Sequence, residues 1–587
     1  MILSSRKVTD FGLSYRPIID TVPAVRVVKS FIQPLKILRL IARLRVGNVC
    51  AALLFMGFCC LAVHCVSARQ LAPAPQRQSA SSPANARPDV KRFRVRVDAA
   101  LAEIHARKAF WGVLVVDRDT GQTLYELNAD HFFTPASNAK IFTSSLAFAT
   151  LGPSFQFRST LESAGRLGPD GHLAGDMVFV GRGDPDISNR KFPYAGKVEH
   201  EGPTQKVLER MADDAIAKGL KEIEGDIIAD DSYYPYDPYP PGWSIGDLFF
   251  TFGAPIGAVT FNDNCISVEI RPADHAGDPA TIIVEPAAAL ETFAHDIKTI
   301  PADGKPEIGV ARQAGPNFLL VRGTIPAGHA PIKLDLAMTD PGEITALTLK
   351  QIFQAKGVPV TGNVRVLHAP PPEIYPDAPV VVGPVPAPPL PTVIVFAEHL
   401  SPPLSEIARV TNKVSQNLHA ELLLRAVGRQ KKGFGVTDAG LWVEQDFLKS
   451  VGVADGDVVL TDGSGLSPDD LVTPRAVVQL LRYDAQQAWG PDYISTFPIA
   501  AVDGTLENRF KNARAAGQIL AKTGALEHVH AMSGFATTQR GERVIFALFG
   551  NHSPERGRDA TVVIDAIASA MIETLGPQAL PRPAKKK

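Results

Sequence analysis

The sequence predicts an α/β fold, an α+β sandwich interrupted by a large β-rich insertion. Three observations carry this. An apolar hairpin and a helix stand near the start, at residues 110–127 and after Pro135. Helices, then an antiparallel meander closed by a helix, stand near the end, from Leu404 to Leu575. Between them, from about 160 to 368, short β-rich runs recur between Gly, Pro and Asp turns. The 587 residues are 45% hydrophobic and 21% charged, which excludes a mainly disordered chain, a fibrous repeat and a multi-span membrane protein. A net charge of −1 leaves no whole-chain basic field for gripping nucleic acid, and five cysteines are too few for a disulfide scaffold.

Residues 1–68 read as an export segment. Residues 1–46 hold nine Lys/Arg and two acids, Val49–Val63 is an uncharged apolar run, and Val66-Ser67-Ala68 offers small residues for cleavage. Fifteen apolar residues fall short of the ~20 that span a bilayer, which favours removal over retention as an anchor. Four of the five cysteines lie here. A product without the segment keeps only Cys265 and carries a net charge of about −8. The expected working protein is therefore acidic, exported and disulfide-free. Its expected location is the periplasm, with peripheral membrane attachment if the segment stays.

Residues 69–92, rich in Pro, Ala, Ser and Gln, read as a tether. Phe110–Val116 and Gln122–Leu127 flank the turn Asp117-Arg118-Asp119-Thr120-Gly121 as a hairpin. Pro135 opens a helix whose apolar stripe, Ile141, Phe142, Ser145, Leu146 and Ala149, makes it amphipathic, and Gly152-Pro153 stops it. This first part of a catalytic domain is expected over residues 93–160.

The insertion is expected over 161–368. Its strands are read at Met177–Val180, Ile227–Ala229, Ile266–Ile270, Thr281–Val284, Phe318–Val321 and Val364–Leu367, with a helix at Val207–Lys218. Residues 369–392 are a Pro-rich linker, and 393–580 the second part of the catalytic domain. Within that part, Leu404–Arg429 and Val436–Val451 are helical. Leu520–Leu526, Ala531–Thr537 and Val544–Phe549 are strands. Ala560–Leu575 is a helix with Ile564, Ile567, Met571 and Leu575 on one stripe. Lys585–Lys587 reads as a frayed tail.

Three short motifs carry chemistry only together. Ser137-Asn138-Ala139-Lys140 puts a hydroxyl and an amine three apart, on one helix face. A serine is a poor nucleophile until a base removes its proton, and a lysine is a base only when its pKa is lowered. The same spacing recurs at Ser4…Lys7 and Ser188…Lys191, so alone it equally describes an exposed helix start. Ser415-Gln416-Asn417 sits at a helix junction, where the alternative is a cap. Lys522-Thr523-Gly524-Ala525 lies on a strand. There a cation and a hydroxyl suit an anionic carboxylate, and glycine lets a substrate backbone come close. The alternative is an edge-strand lysine.

The order Ser-x-x-Lys, Ser-x-Asn, Lys-Thr-Gly resembles that of β-lactamases and penicillin-binding serine peptidases. Within them the chain resembles the D-alanyl-D-alanine carboxypeptidase/endopeptidase family of low-molecular-mass class C type. The 278 positions between Ser137 and Ser415 leave room for the insertion of that family. Asp462-Gly463-Ser464-Gly465-Leu466-Ser467, Gly181-Arg182-Gly183-Asp184-Pro185, Pro241-Gly242-Trp243, Ala254-Pro255, Asn262-Asp263-Asn264 and Gly504-Thr505-Leu506-Glu507-Asn508-Arg509 look like its signatures. Pro468, Asp470 and Phe252 depart from the residues usual there.

The resemblance implies a β-lactamase/DD-peptidase-like catalytic domain. It implies Ser137 as nucleophile, Lys140 as base and Ser415 as proton relay. Asn417 would hold the substrate backbone, Lys522 and Thr523 its terminal carboxylate. The backbone N–H groups of Ser137 and Ala525 would bind the oxyanion. Asp230 would face the amino group of a diaminopimelate side chain. The implied partners are peptidoglycan peptides, with β-lactams as inhibitors, and no cofactor or metal. The alternatives are a β-lactamase or esterase of the same fold and a catalytically silent wall-binding protein. Ser464 reads as a structural turn, because Gly463-Ser464-Gly465 is not a Gly-x-Ser-x-Gly elbow. His528 and His530 lack a third ligand for a metal.

Overall fold

The computed structural model describes residues 87–576 apart from 105, 197–198, 313–318, 371–392, 512 and 554–557. The export segment, residues 69–86 of the tether, nearly all of the Pro-rich linker, Phe318 and the Lys585–Lys587 tail lie outside the described residues. The first helix, α1 (Pro88–Ala102), starts with proline in its first turn and takes in residues 88–92, which the sequence assigns to the tether. Val90, Phe93 and Val97 bury its inner stripe.

Strands β1 (Phe110–Asp117) and β2 (Thr123–Leu127) form the expected hairpin. Its turn is held by Asp117, whose Oδ1 accepts the Asp119 and Thr120 N–H groups. A short 3-10 turn, Ala136–Asn138, leads into α2 (Ala139–Thr150). α2 is not amphipathic: residues 139–148 are all buried, and it is Ala149 of the expected stripe that is exposed. Its polar face is buried because each hydroxyl finds an acceptor. Thr143 donates to the Gly463 carbonyl, Ser144 to the Lys140 carbonyl and Ser145 to Asp484.

The insertion is entered through β3 (Arg158–Ser163), followed by β4 (Met177–Val180), α3 (Lys206–Ala217) and β5 (Ile227–Pro235). Next come β6 (Cys265–Arg271), β7 (Thr281–Glu285), β8 (Phe293–Ile300), β9 (Glu307–Arg312), β10 (Leu319–Pro326) and β11 (Ile332–Ala337). α4 (Pro341–Ala355) and β12 (Val364–Ala369) follow, and β13 (Ile394–Leu400) leads out. The largest sheet here has the order β12-β5-β4-β3-β13. Its entry and exit strands, β3 and β13, pair antiparallel, so the chain leaves where it came in. Two three-stranded sheets, β7-β6-β11 and β8-β10-β9, and a small third one of Arg166–Leu167, His172–Ala174 and Glu222–Ile223 belong to this part, which has a core of its own.

The chain returns through α5 (Leu404–Lys413), α6 (Asn417–Lys432), α7 (Thr437–Ser450) and α8 (Pro474–Asp484). It ends with β14 (Ile519–Leu526), β15 (Val529–Thr537), β16 (Arg543–Asn551) and α9 (Arg558–Thr574). The meander joins the early hairpin through β16 and β1, giving an antiparallel sheet β14-β15-β16-β1-β2. Side chains alternate across it. Leu114 and Val116 face the α2, α6 and α8 side, whereas Trp111, Val113 and Val115 face α1 and α9. Burial on both faces explains why β1 reads as a continuous apolar run. Among the described residues no helix is long and apolar enough to cross a membrane.

Candidate active site

The three motifs meet beside β14, the edge strand of the catalytic sheet. The 135–138 turn packs on Gly524: a Cβ there would lie 2.6 Å from the Pro135 carbonyl oxygen, so no side chain fits. Asn138, fully buried, donates through Nδ2 to the Lys522 carbonyl at 3.2 Å. These contacts fix the Ser137 turn against the strand. Ala136 (φ 47°) and Ser415 (φ 67°) both hold left-handed backbone that non-glycine residues adopt at a cost. The Ser415 kink separates α5 from α6 and turns its hydroxyl inward, while Gln416 caps α6 through the Leu418 N–H.

Lys140 is fully buried, and its Nζ has three neighbours: Ser137 Oγ at 3.0 Å, Asn417 Oδ1 at 2.6 Å and the Ser464 carbonyl oxygen at 2.6 Å. This set suits both protonation states. The ammonium donates to all three. The neutral amine donates to Asn417 and Ser464, and its lone pair accepts the Ser137 O–H. Burial lowers the amine to about 8, opposed by the charges of Asp462, Glu421 and Asp470. Ser137 itself is partly exposed, within reach of a ligand.

Lys522 is also fully buried. It donates to Ser415 Oγ at 2.8 Å and to the Thr523 carbonyl at 2.7 Å. Burial and the nearby Lys140 push it well below the ordinary lysine range, and among the described residues no acid opposes them. Thr523 Oγ1 lies 2.7 Å from Thr505 Oγ1. Asp230 lies on β5 of the insertion. Its carboxylate accepts the Ser232 N–H at 2.9 Å, and among the described residues no hydrogen bond joins it to this cluster. The neighbouring Asp231 is the buried one, bound to the Val259 N–H and to His368.

Sequence reasoning missed the groups that hold these side chains. Asp462, fully buried, accepts the N–H groups of Ser464, Gly465, Leu466 and Ser467 and Nε1–H of Trp243, which shapes the turn offering the Ser464 carbonyl to Lys140. Ser464 is thus a turn residue, as expected. The Phe252 carbonyl accepts Asn417 Nδ2 at 2.8 Å, which orients the amide so that Oδ1 faces Lys140. Asp263 accepts His419 Nε2 at 3.1 Å and pairs with Arg190. Asp263 sits between Asn262 and Asn264 in three successive left-handed residues, a conformation that Asn and Asp tolerate best. Backbone carbonyls leave no mark in a sequence. The signatures around Trp243 and Asp263 were visible, but their targets were not.

A family model described as D-Ala-D-Ala carboxypeptidase 3 (S13) matches residues 93–571. The chain belongs to the S13 family. It is 31% identical over 498 residues to the D-alanyl-D-alanine carboxypeptidase of Actinomadura sp. (strain R39), covering 83% of this chain and 86% of that one. It is 27% identical over 445 residues to the D-alanyl-D-alanine carboxypeptidase DacB of Haemophilus influenzae, covering 75% and 85%. The crystal structure of penicillin binding protein 4 (dacB) from Haemophilus influenzae superposes with a TM-score of 0.67 at 25% identity, over 80% of this chain and 97% of that one.

Two outcomes follow from the geometry of this S13 site. Below about 8 the Lys140 amine carries a proton and cannot take that of Ser137. With Lys140 as base for Ser137, the second-order rate of acylation by a penicillin is expected to rise about tenfold per pH unit from 6 to 7.5 and to level off above 8; a flat profile contradicts Lys140 as base. Gly465 has φ 78°, and a Cβ there would lie 1.9 Å from the Ala136 carbonyl oxygen. Gly465→Ala displaces the Ser137 turn and lowers that rate by about tenfold or more, measured by fluorescent-penicillin labelling.

Proposed function

We propose that this protein is an exported serine DD-peptidase that cuts D-Ala-D-Ala-type bonds in peptidoglycan stem peptides. The observation that carries the reading is Lys140: a buried amine, lowered to about 8, 3.0 Å from the Ser137 hydroxyl. Membership of the S13 family and the Lys522–Ser415 pairing support it.

Ser137 Oγ attacks the carbonyl carbon of the scissile bond while Lys140 takes its proton. The backbone N–H groups of Ser137 and Ala525 stabilise the tetrahedral oxyanion. Asn417 aligns the substrate backbone. Lys522 and Thr523 hold the terminal carboxylate, whose charge keeps Lys522 protonated. Ser415, bonded to Lys522, relays to the leaving D-alanine nitrogen the proton that Lys140 took, giving one proton and receiving another, so the C–N bond breaks and Lys140 is again a free base. Water then hydrolyses the Ser137 ester and returns the serine. A β-lactam carries the same arrangement of carbonyl and carboxylate, so it acylates Ser137. Its ring amine stays attached after opening, and hydrolysis is slow. The substrate lies outside the cytoplasm, which fits an export segment at residues 1–68.

Incubation with a fluorescent penicillin followed by digestion tests this. A stable adduct on the Ser137 peptide is expected. No adduct supports a silent wall-binding protein, and fast penicillin turnover supports a β-lactamase. Ser137→Ala keeps its melting temperature and takes no label; residual label places the nucleophile elsewhere. Lys522→Ala lowers kcat/KM for acyl-D-Ala-D-Ala about tenfold more than for its C-terminal amide. Equal losses on the two substrates contradict the carboxylate role.

A further inference from the structure

We propose that Thr505 is a positioning residue that sets the preference for a free carboxylate, by orienting the hydroxyl of Thr523. This rests on the DD-peptidase reading above and assigns to that site a residue outside its three motifs. Of the four residues Lys522–Ala525, only Thr523 carries a side-chain hydroxyl. Lys522 spends two of its three N–H groups on Ser415 and on the Thr523 carbonyl. One remains for a ligand. A carboxylate is an acceptor with two oxygens, so a second donor is needed, and the Thr523 hydroxyl is the candidate.

A lone hydroxyl rotates among three staggered positions and donates in the required direction only part of the time. Thr505 removes that freedom. Its Oγ1 lies 2.7 Å from Thr523 Oγ1, and among the described residues neither hydroxyl has another side-chain or backbone partner. Only one of the pair can donate to the other. When a carboxylate takes the Thr523 proton in a hydrogen bond, Thr523 must accept from Thr505. The chain Thr505 O–H to Thr523 O–H to carboxylate then runs one way, and each link polarises the next.

The turn carrying Thr505 is held in place from the Ser415 side. Asp503 Oδ2 accepts Lys413 Nζ at 2.5 Å, and its Oδ1 accepts the Ile499 N–H at 2.8 Å. Lys413 also donates to the Phe497 carbonyl at 2.9 Å. Gly504 has φ 58°, and a Cβ there would lie 2.7 Å from the Lys413 carbonyl oxygen. Lys413 is two residues before Ser415, and Leu506 is buried in the catalytic core. Thr505 therefore stands on a turn braced against the residues that carry the proton relay. Both threonines are partly exposed, as a pair that meets a ligand must be.

The test compares Ser137 acylation in the full-length protein by a penicillin and by the methyl ester of the same penicillin. The wild type is expected to prefer the free carboxylate. Thr505→Val, of equal size but without the hydroxyl, lowers the rate for the free acid about tenfold and for the ester no more than about twofold. Thr505→Ser, which keeps the hydroxyl, recovers most of that loss. Equal losses on both compounds, or none on either, overturn the role of Thr505. A wild type acylated equally by acid and ester overturns carboxylate recognition as a whole, Lys522 included. A wild type acylated by neither overturns the peptidase reading and this one with it.

Discussion

The site depends on a single buried amine. Among the described residues no carboxylate is in hydrogen-bond contact with Lys140; its three neighbours are a hydroxyl, an amide oxygen and a backbone carbonyl. The hydroxyl lies three residues before Lys140, whereas the amide and the carbonyl come from segments 277 and 324 residues further along the chain. A salt bridge to the same amine would hold its proton and remove it as a base. Neutral acceptors satisfy it without doing so, and burial then lowers its proton affinity. The acids Asp462, Glu421 and Asp470 act only at a distance, which keeps the amine from falling further. Glu421 is itself raised to about 8 by burial, so the charge behind Lys140 is partial.

The insertion contributes to this arrangement directly. Trp243 donates to Asp462, which shapes the turn that presents the Ser464 carbonyl. The Phe252 carbonyl fixes the Asn417 amide. Asp263, braced by Arg190, holds His419 two residues further along the same helix. Each contact crosses from inserted to catalytic residues: the first ends on the Asp462 turn, the second on Asn417 and the third on the helix that carries Asn417. A segment with its own core thus completes a site whose motifs all lie outside it.

Much of the architecture was legible. The meander, the closing helix, the hairpin and the junction at Ser415 all fall where their patterns place them, because apolar periodicity and turn residues report on local backbone directly. α2 was misread. A stripe implies an exposed opposite face, and the sequence does not say that Thr143, Ser144 and Ser145 would find buried acceptors. The entry and exit strands β3 and β13 were likewise invisible as partners, since their pairing spans the whole insertion. In the site, Ser137, Lys140, Ser415, Asn417 and Lys522 were named from motif order, and they do converge. Among the described residues no hydrogen bond ties Asp230 to them; it accepts the Ser232 N–H on a strand of the insertion.

Residue types and their order were enough to determine the chemistry available: a hydroxyl, two amines, an amide and a strand carrying lysine and threonine. Local physics acts over a few residues, and it leaves that record in the sequence. Tertiary structure alone decided which amine lies against which hydroxyl, Lys140 on Ser137 and Lys522 on Ser415. It also decided that Ser464 and Phe252 act through their carbonyl groups and that Thr505 faces Thr523. Those choices are made by packing between distant segments, where the deciding groups are backbone atoms common to every residue, and no pattern along the chain distinguishes one from another.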